Sequence, residues 1–139
     1  MRRAWAILLF LALAGCVSIP ADKPTPAVAP AEVLLNENAL KEVQEGMTAT
    51  QVHEIMGQEL VIGYTFVSGS YRPLTVPNPY KLETIKAGGY MIEYYIDAIR
   101  RPDGIVSDDE LMPLVFKDGK LIGRGWPLVN SLRGPSPAP

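Results

Sequence analysis

The sequence predicts an α+β fold in which two short N-terminal helices pack on an antiparallel meander sheet of three to four strands. Three observations support this prediction. Two helical segments with recognisable caps follow each other between residues 36 and 57, and an alternating strand pattern covers residues 90–99. Asp118-Gly119, between two apolar stretches, is a strong signal for a tight hairpin turn. Helices followed by hairpin-connected strands form a two-layer structure.

The chain begins with the pattern of an export signal. Arg2 and Arg3 are followed by an unbroken apolar run over residues 4–15. A helix of that length spans about 18 Å, whereas the hydrocarbon core of a bilayer is about 30 Å thick. The run is therefore too short to cross a membrane, and residues 1–15 are predicted to be removed after export.

Cys16 is the only cysteine of the chain, so no disulfide framework is possible within it. The preceding residues Leu13, Ala14 and Gly15 resemble the lipobox of bacterial lipoproteins. That resemblance implies cleavage before Cys16 and attachment of lipid to its thiol, and two or more acyl chains anchor a protein stably to a membrane. The alternative is an ordinary secretory signal with a chance cysteine. Val17 takes the place of the aspartate that favours inner-membrane retention in enterobacterial lipoproteins, so we expect an outer-membrane address facing the periplasm.

Composition divides the mature chain into three parts. Residues 16–35 are rich in proline and alanine and are predicted to form a flexible tether. Residues 36–130 are predicted to form one α+β domain, and residues 131–139 a disordered tail. Without the signal peptide the chain carries 11 of its 13 basic side chains against 15 acidic ones. This acidic balance argues against a nucleic-acid partner, which requires a clustered basic face.

The first helix is predicted to start at Asn36 as its N-cap, with Leu35 and Leu40 packing around it as a hydrophobic staple. Its apolar face contains Leu40 and Val43, and Gly46 is the expected left-handed residue after its end. Such a short helix is unstable alone in water, so it must pack on other elements.

The second helix follows at once. Thr48 and Gln51 have the spacing of a capping box, in which each residue satisfies a backbone N–H group of the other. Val52 and Met56 lie on its apolar face, and Gly57 is predicted to end it.

Three segments follow the second helix. Residues 60–67 are rich in β-branched and aromatic side chains and predict a strand, whereas residues 68–89 contain three prolines and are interpreted as a long loop. Residues 90–99 form the clearest strand. Its alternation places the aromatic and aliphatic side chains on a buried face and Glu93 on a wetter one.

The C-terminal part is predicted to contain a capped turn and a hairpin. Residues 107–110 (SDDE) have the pattern of a capped helical turn. Residues 114–126 are predicted to form a hairpin around Asp118-Gly119, in which Phe116 pairs with Leu121.

The segment GMTATQV at residues 46–52, followed by Met56-Gly57, resembles the opening motif of the SmpA/OmlA family. That family includes a small lipoprotein of the outer-membrane barrel-assembly machine, and other lipoprotein families share the helix motif. The resemblance implies two helices on a three-stranded antiparallel sheet. It also implies a binding or scaffold role beside another envelope protein.

The residues provide no set that is typical of catalysis or of a cofactor. His53 is the only histidine, and it lacks the further histidine or cysteine that a zinc or copper site needs. The carboxylates of residues 103–110 do not have EF-hand spacing and are interpreted as a solvated acidic turn. We therefore expect a non-enzymatic protein without metal or cofactor. The two rival interpretations are an enzyme that uses the acidic turn and a stand-alone ligand-binding or inhibitor lipoprotein.

A partner-binding face is predicted on the sheet. The two helices can cover only one side, and we expect that side to carry Phe116 and Leu121 together with Tyr94 and Ile96. The opposite side would present apolar groups rimmed by Lys117, Lys120 and Arg124. Its candidate partner-binding residues are Val115, Ile122, Trp126 and Tyr95. The alternative is that residues 68–89 fold over this side and make it a second small core.

Overall fold

The structure is a computed structural model that describes residues 31–101 and 104–134, and within them lie three helices and six strands. In chain order these are α1 (Ala31–Glu42), α2 (Ala49–Met56), β1 (Glu59–Val67), β2 (Ser70–Pro77), β3 (Lys81–Ile85), β4 (Tyr90–Ile96), β5 (Leu111–Lys117), β6 (Lys120–Arg124) and α3 (Trp126–Arg133). A single 3₁₀ turn, Asp108–Glu110, precedes β5.

The strands form two antiparallel sheets. β1 pairs only with β2, and β3, β4, β5 and β6 form a four-stranded meander in sequence order. The predicted α+β class is therefore confirmed, but its details differ. One helix follows the strands instead of preceding them, and the strand predicted first belongs to a separate sheet.

Helix α1 starts five residues before its predicted N-cap. Asn36 lies inside the helix and is buried, and its Nδ2 donates a hydrogen bond to the carbonyl of Ile96 at 2.5 Å. The N-cap prediction was wrong because tertiary contacts extend the helix: Val33 is buried in the same cluster as Leu60. Residues 31–35, predicted as the end of the tether, are thus helical, while residues 16–30 lie outside the described part.

Helix α2 has the predicted capping box. Gln51 N–H donates to Thr48 Oγ1 at 3.3 Å, and Thr48 N–H donates to Gln51 Oε1 at 2.9 Å. Val52 and Met56 are buried, and Gly57 follows the helix with a φ of 74°. The sequence-based prediction of this helix is therefore confirmed.

The segment interpreted as a long loop, residues 68–89, contains two strands instead. β1 and β2 are joined by Ser68-Gly69 and pair from Val67↔Ser70 back to Glu59↔Pro77. In a two-residue hairpin the pair next to the turn is hydrogen-bonded and the pairs then alternate, so Pro73, opposite Tyr64, falls at a non-hydrogen-bonded position. A proline there loses no ladder bond, which explains why it did not prevent a strand.

Strand β4 is buried on both faces. Side chains of alternating residues enter two separate apolar clusters, one against α1 and α2 and one beneath α3. The first contains Leu40, Val43, Val52, Met56, Tyr95, Leu114, Phe116 and Leu121. The second contains Val33, Leu60, Ile92, Tyr94, Ile96, Leu111, Val115 and Val129. The expectation that Tyr94 and Ile96 share a face with Phe116 was therefore wrong.

The β5–β6 hairpin was predicted correctly. Asp118 and Gly119 have φ values of 51° and 75°, which is the left-handed pair that a type I′ turn requires. Phe116 pairs with Leu121 as expected. One irregularity was not expected: Val115 pairs with Gly123, so Ile122 is an extra residue in β6, as in a β-bulge.

Helix α3 replaces the start of the predicted tail. It contains a proline in its first turn, and Val129 is fully buried against the sheet. Leu128 and Leu132 pack around the same cluster. Residues 131–133 are therefore helical, and residues 135–139 lie outside the described part.

Candidate functional site

The predicted lipid-attachment site lies outside the described residues. Cys16 and the motif residues Leu13, Ala14 and Gly15 all precede residue 31. Lipid attachment therefore remains an expectation from the sequence. Within the described ranges, no helix combines the length and apolar character needed to cross a bilayer.

The four residues predicted to form a partner-binding face do not share one. Val115 and Tyr95 are fully buried in different clusters on opposite sides of the sheet. Trp126 starts α3, and its Nε1 donates to the carbonyl of Leu111 at 3.0 Å. Only Ile122 is substantially exposed, at 40%. The prediction of one shared exposed face was wrong because α3 covers one side of the sheet and β6 is irregular at Ile122.

A buried carboxylate lies where the sequence predicted a wetter face. Glu93 is 1% exposed, and its two oxygens lie 2.9 and 3.0 Å from Nε2 of His53. Tyr95 Oη donates to the same carboxylate at 2.7 Å, and burial together with this bond raises the pKa of the Tyr95 hydroxyl. His53 thus has a partner that the sequence did not reveal. The three side chains connect α2 to β4, and the His53 side chain is the partly exposed member of the group.

A second polar cluster holds α3 in place. Arg133 donates to Glu83 at 2.6 Å and to Tyr94 Oη at 2.9 Å, and Tyr94 Oη donates to Glu83 at 2.6 Å. The Arg133 guanidinium and then the Tyr94 hydroxyl hold the pKa of Glu83 below its usual value. The Trp126 ring lies 5.5 Å from the Tyr94 ring. These contacts hold the two ends of α3 against β3 and β4.

The acidic turn is structural as well. Glu110 is fully buried and accepts hydrogen bonds from the backbone N–H groups of Arg100, Arg101 and Ser107. Asp109 pairs instead with Arg101 at 2.7 Å. The carboxylates therefore point to different partners, and across the part of the chain that the structure describes no group of three metal-ligand side chains occurs.

The feature that the fold does not explain is the β1–β2 hairpin, residues 59–77, which we call the arm. Leu60 and Val76, at its base, pack on the core beneath α3. Asn78, just after the arm, donates to Asn36 Oδ1 at 2.9 Å and to the carbonyl of Met56 at 2.7 Å. The base of the arm is thus fixed to α1 and α2, and the distal residues extend from it with mostly exposed side chains.

The register of the arm separates two faces. Cross-strand partners point to the same side, and successive residues of a strand point to opposite sides. Phe66 pairs with Tyr71 and Tyr64 with Pro73. These residues, on the side opposite the partly buried Val76, form what we call the aromatic face: Tyr64, Phe66, Tyr71 and Pro73.

The aromatic face is exposed to an extent that folding does not require. Tyr64 is 56%, Phe66 63% and Tyr71 76% exposed, and the rings of Phe66 and Tyr71 lie 5.0 Å apart. Scattered exposed apolar residues are normal, but a contiguous exposed patch marks a contact site. The sequence contained a signal for the hairpin turn of the arm, Ser68-Gly69. The prolines of residues 68–89 favour a loop, so the sequence-based prediction missed this turn.

Comparison with known proteins adds no relative: the chain matches no family model, no curated protein and no solved structure.

Proposed function

We propose that this protein is a lipid-anchored component of the bacterial cell envelope that acts as a non-enzymatic binding or scaffold subunit, with the arm as its contact surface. The observation that carries the proposal is the exposed aromatic face on an arm whose base is fixed to the core. A rigid base and an exposed aromatic tip suit recognition, because aromatic side chains contribute large contact areas and lose little conformational entropy.

The anchoring part of the proposal rests on the sequence. A short apolar run, the small residues Leu13-Ala14-Gly15 and the unique Cys16 together have the pattern of a lipoprotein signal. The SmpA/OmlA-like helix motif and Val17 support an outer-membrane location facing the periplasm, among factors that assemble outer-membrane proteins.

The non-enzymatic part rests on the polar groups of the fold. The buried Glu93 and Glu110 both have hydrogen-bond partners within the fold. In the acidic turn, the Glu110 carboxylate accepts hydrogen bonds from backbone N–H groups. These arrangements support a role in which the domain presents a surface and performs no reaction.

Anchoring is tested by replacing Cys16 with Ser. The wild-type chain is expected to float with membranes after an alkaline wash, and the variant is expected to be uncleaved or released, because the thiol that accepts lipid is gone. Ser18→Ala, two residues away, is the matched control and should behave as wild type. A Cys16→Ser protein that still floats with membranes after washing contradicts anchoring through this residue.

The contact surface is tested separately by affinity isolation from detergent-solubilised membranes. The double substitution Phe66→Ser and Tyr71→Ser should remove the contact without unfolding the domain, since both side chains are exposed. Leu82→Ser, which alters a 62% exposed apolar residue on the other sheet, is the control. If the double variant and the control retain the same co-purifying components and the same membrane contacts, the arm is not the contact surface.

A further inference from the structure

We propose that the arm contacts the lipid bilayer itself, lying in the headgroup region with its aromatic face toward the acyl chains. This inference rests on the proposed function, because it requires the chain to be held at a membrane, and it names the partner of the arm. A protein groove is the competing occupant, and the experiment below separates the two.

The charge of the arm fits a phosphate-bearing surface. The arm has two charged side chains, Glu59 at its base beside the core and Arg72 nearer its turn, whereas the whole chain has 15 acidic residues. An acidic group near lipid phosphates would be repelled, and a single basic group can pair with them. Arg72 pairs with Thr65 and lies on the face opposite the aromatic one, so the aromatic face is uncharged.

The residue types of the aromatic face fit the depth of the headgroup region. Tyrosine has an apolar ring and a polar hydroxyl and is enriched where membranes meet water. A two-stranded hairpin is not a closed barrel, so it does not insert into the hydrocarbon core. The arm therefore lies flat at the surface, where water still reaches its backbone and the hydroxyls of Ser68 and Ser70.

The order of contacts along α1 places its N-terminal end nearest the arm. At the C-terminal end, Arg124 donates to the carbonyls of Leu40 and Val43. Asn36, in the middle, meets Asn78 just after the arm, and Val33 packs in the cluster that contains Leu60 at the base of the arm. The chain that leads back to Cys16 therefore joins the fold on the side of the arm.

The length of that chain permits the contact. Ala31 lies fifteen positions after Cys16, and at about 3.1 Å per residue an extended chain of that length reaches up to about 45 Å. A domain of one hundred residues has a radius of gyration of about 13 Å. The anchor alone therefore allows any side of the domain to reach the bilayer, and the orientation of the domain depends on which of its surfaces binds the lipid. In this proposal that surface is the aromatic face.

The experiment uses the mature full-length protein in phosphatidylcholine vesicles that carry nitroxide-labelled lipids. Because Cys16 is the only cysteine and is acylated in the mature protein, an added cysteine can be labelled specifically with an environment-sensitive fluorophore. Thr75→Cys lies on the same side of β2 as Tyr71 and Pro73, and Lys120→Cys lies in β6 directly after the turn of the other hairpin. Both positions are exposed, so the two labels are matched.

The label at residue 75 should emit at shorter wavelength and be quenched at least about twofold more strongly than the label at residue 120, as expected for a group in the interface. Adding Phe66→Ser and Tyr71→Ser should reduce quenching at residue 75 to the level at residue 120, whereas adding Leu82→Ser should not. Equal quenching of the two labels in protein that is embedded in the vesicles overturns the lipid contact.

Failure of the inference and failure of the proposed function give different results. Protein that does not enter the vesicles at all contradicts lipid anchoring. Embedded protein with a water-exposed arm, combined with a co-purifying protein that is lost in the Phe66→Ser and Tyr71→Ser variant, overturns the lipid contact and assigns the arm to a protein groove.

Discussion

The two tight hairpins of this protein share their local structure and differ in their surroundings. Ser68-Gly69 joins β1 to β2 and Asp118-Gly119 joins β5 to β6, and in each turn the first residue has a φ of 51°. Phe116 and Leu121 beside the second turn are each 1% exposed. Phe66 and Tyr71, which occupy the same places beside the first turn, are 63% and 76% exposed.

This difference shows that turn residues can determine a hairpin whose apolar side chains are not buried in a core. The exposed apolar side chains of such a hairpin are available for binding. In the β5–β6 hairpin the apolar side chains stabilise the fold by leaving water. In the arm the same residue types remain in water, where an isolated two-stranded hairpin is marginally stable at best. The exposed aromatic residues are thus the part of the molecule that selection for folding alone does not explain.

The largest expected effect is the difference in stability lost on replacing Phe116 or Phe66. Phe116→Ala should lower the free energy of unfolding by about 3–5 kcal/mol, because it removes a buried aromatic ring and leaves a cavity. Phe66→Ala, the matched change in the arm, should cost less than about 1 kcal/mol. Chemical denaturation of both variants measures the two values, and equal losses would show that the arm is part of the core.

The next effect concerns Glu110, in the turn that precedes β5. The arm contains no comparable buried carboxylate. Burial alone would raise the pKa of Glu110, but the N–H groups of Ser107, Arg101 and Arg100 together outweigh it and hold the pKa below the ordinary value of 4.5. A lowered folded-state pKa stabilises the protein above pH 4.5, and this stabilisation is lost as the pH falls through the folded value.

Glu110→Gln should therefore cost about 1–3 kcal/mol at neutral pH, and the difference from wild type should shrink below pH 4. Urea denaturation across pH 3–7 measures this. Asp109→Asn, which changes an exposed neighbour, is the control. A wild-type and Glu110→Gln difference that is the same at all pH values would contradict the assigned role of the carboxylate.

The third effect concerns His53, which joins α2 to the sheet that contains the buried hairpin. His53→Ala should destabilise the protein by about 1–2 kcal/mol, because the buried Glu93 would keep only the Tyr95 hydroxyl as a partner. His53→Ala combined with Glu93→Gln should recover part of the loss, since a neutral amide is less costly to bury. Thermal unfolding measures both, and a double variant less stable than the additive expectation would contradict the explanation.

A smaller effect sharpens the comparison within the arm. A double-mutant cycle with Phe66→Ala and Tyr71→Ala should give a coupling energy of about 0.5–1 kcal/mol, as expected for a cross-strand aromatic pair. The rings lie 5.0 Å apart at an angle of 59°. A coupling energy near zero would mean that the pair adds nothing to the stability of the arm.

The smallest effect concerns the turns themselves. Ser68→Asn should stabilise the arm by a few tenths of a kcal/mol, because asparagine tolerates the left-handed conformation better than serine. Amide exchange of β1 and β2 is the suitable measurement, since global unfolding need not report a local change. Faster exchange in the variant would show that the serine hydroxyl has a specific role in the turn.

Some elements of this protein were determined by the local sequence. The α2 capping box, the capped turn at residues 107–110 and the Asp118-Gly119 hairpin all formed as predicted. Each depends on interactions within a few residues of the chain, such as the bonds between Thr48 and Gln51. The unique Cys16 and its preceding motif likewise provide the whole basis for the proposed anchoring.

The remaining features were decided by tertiary structure. Asn36 is a suitable N-cap residue, but burial of Val33 extends α1 to the N-terminal side of it. Helix α3 is stabilised by burying Val129 against the second face of the sheet. The partner of His53 could not be predicted because Glu93 lies 40 residues away and only the packing of α2 on β4 brings them together. The local sequence therefore determined the capping box of α2, the capped turn at residues 107–110 and the Asp118-Gly119 turn, and the anchor at Cys16 stays a prediction. Only the folded structure decided which apolar residues became core and which remained exposed on the arm, because burial depends on contacts between distant segments.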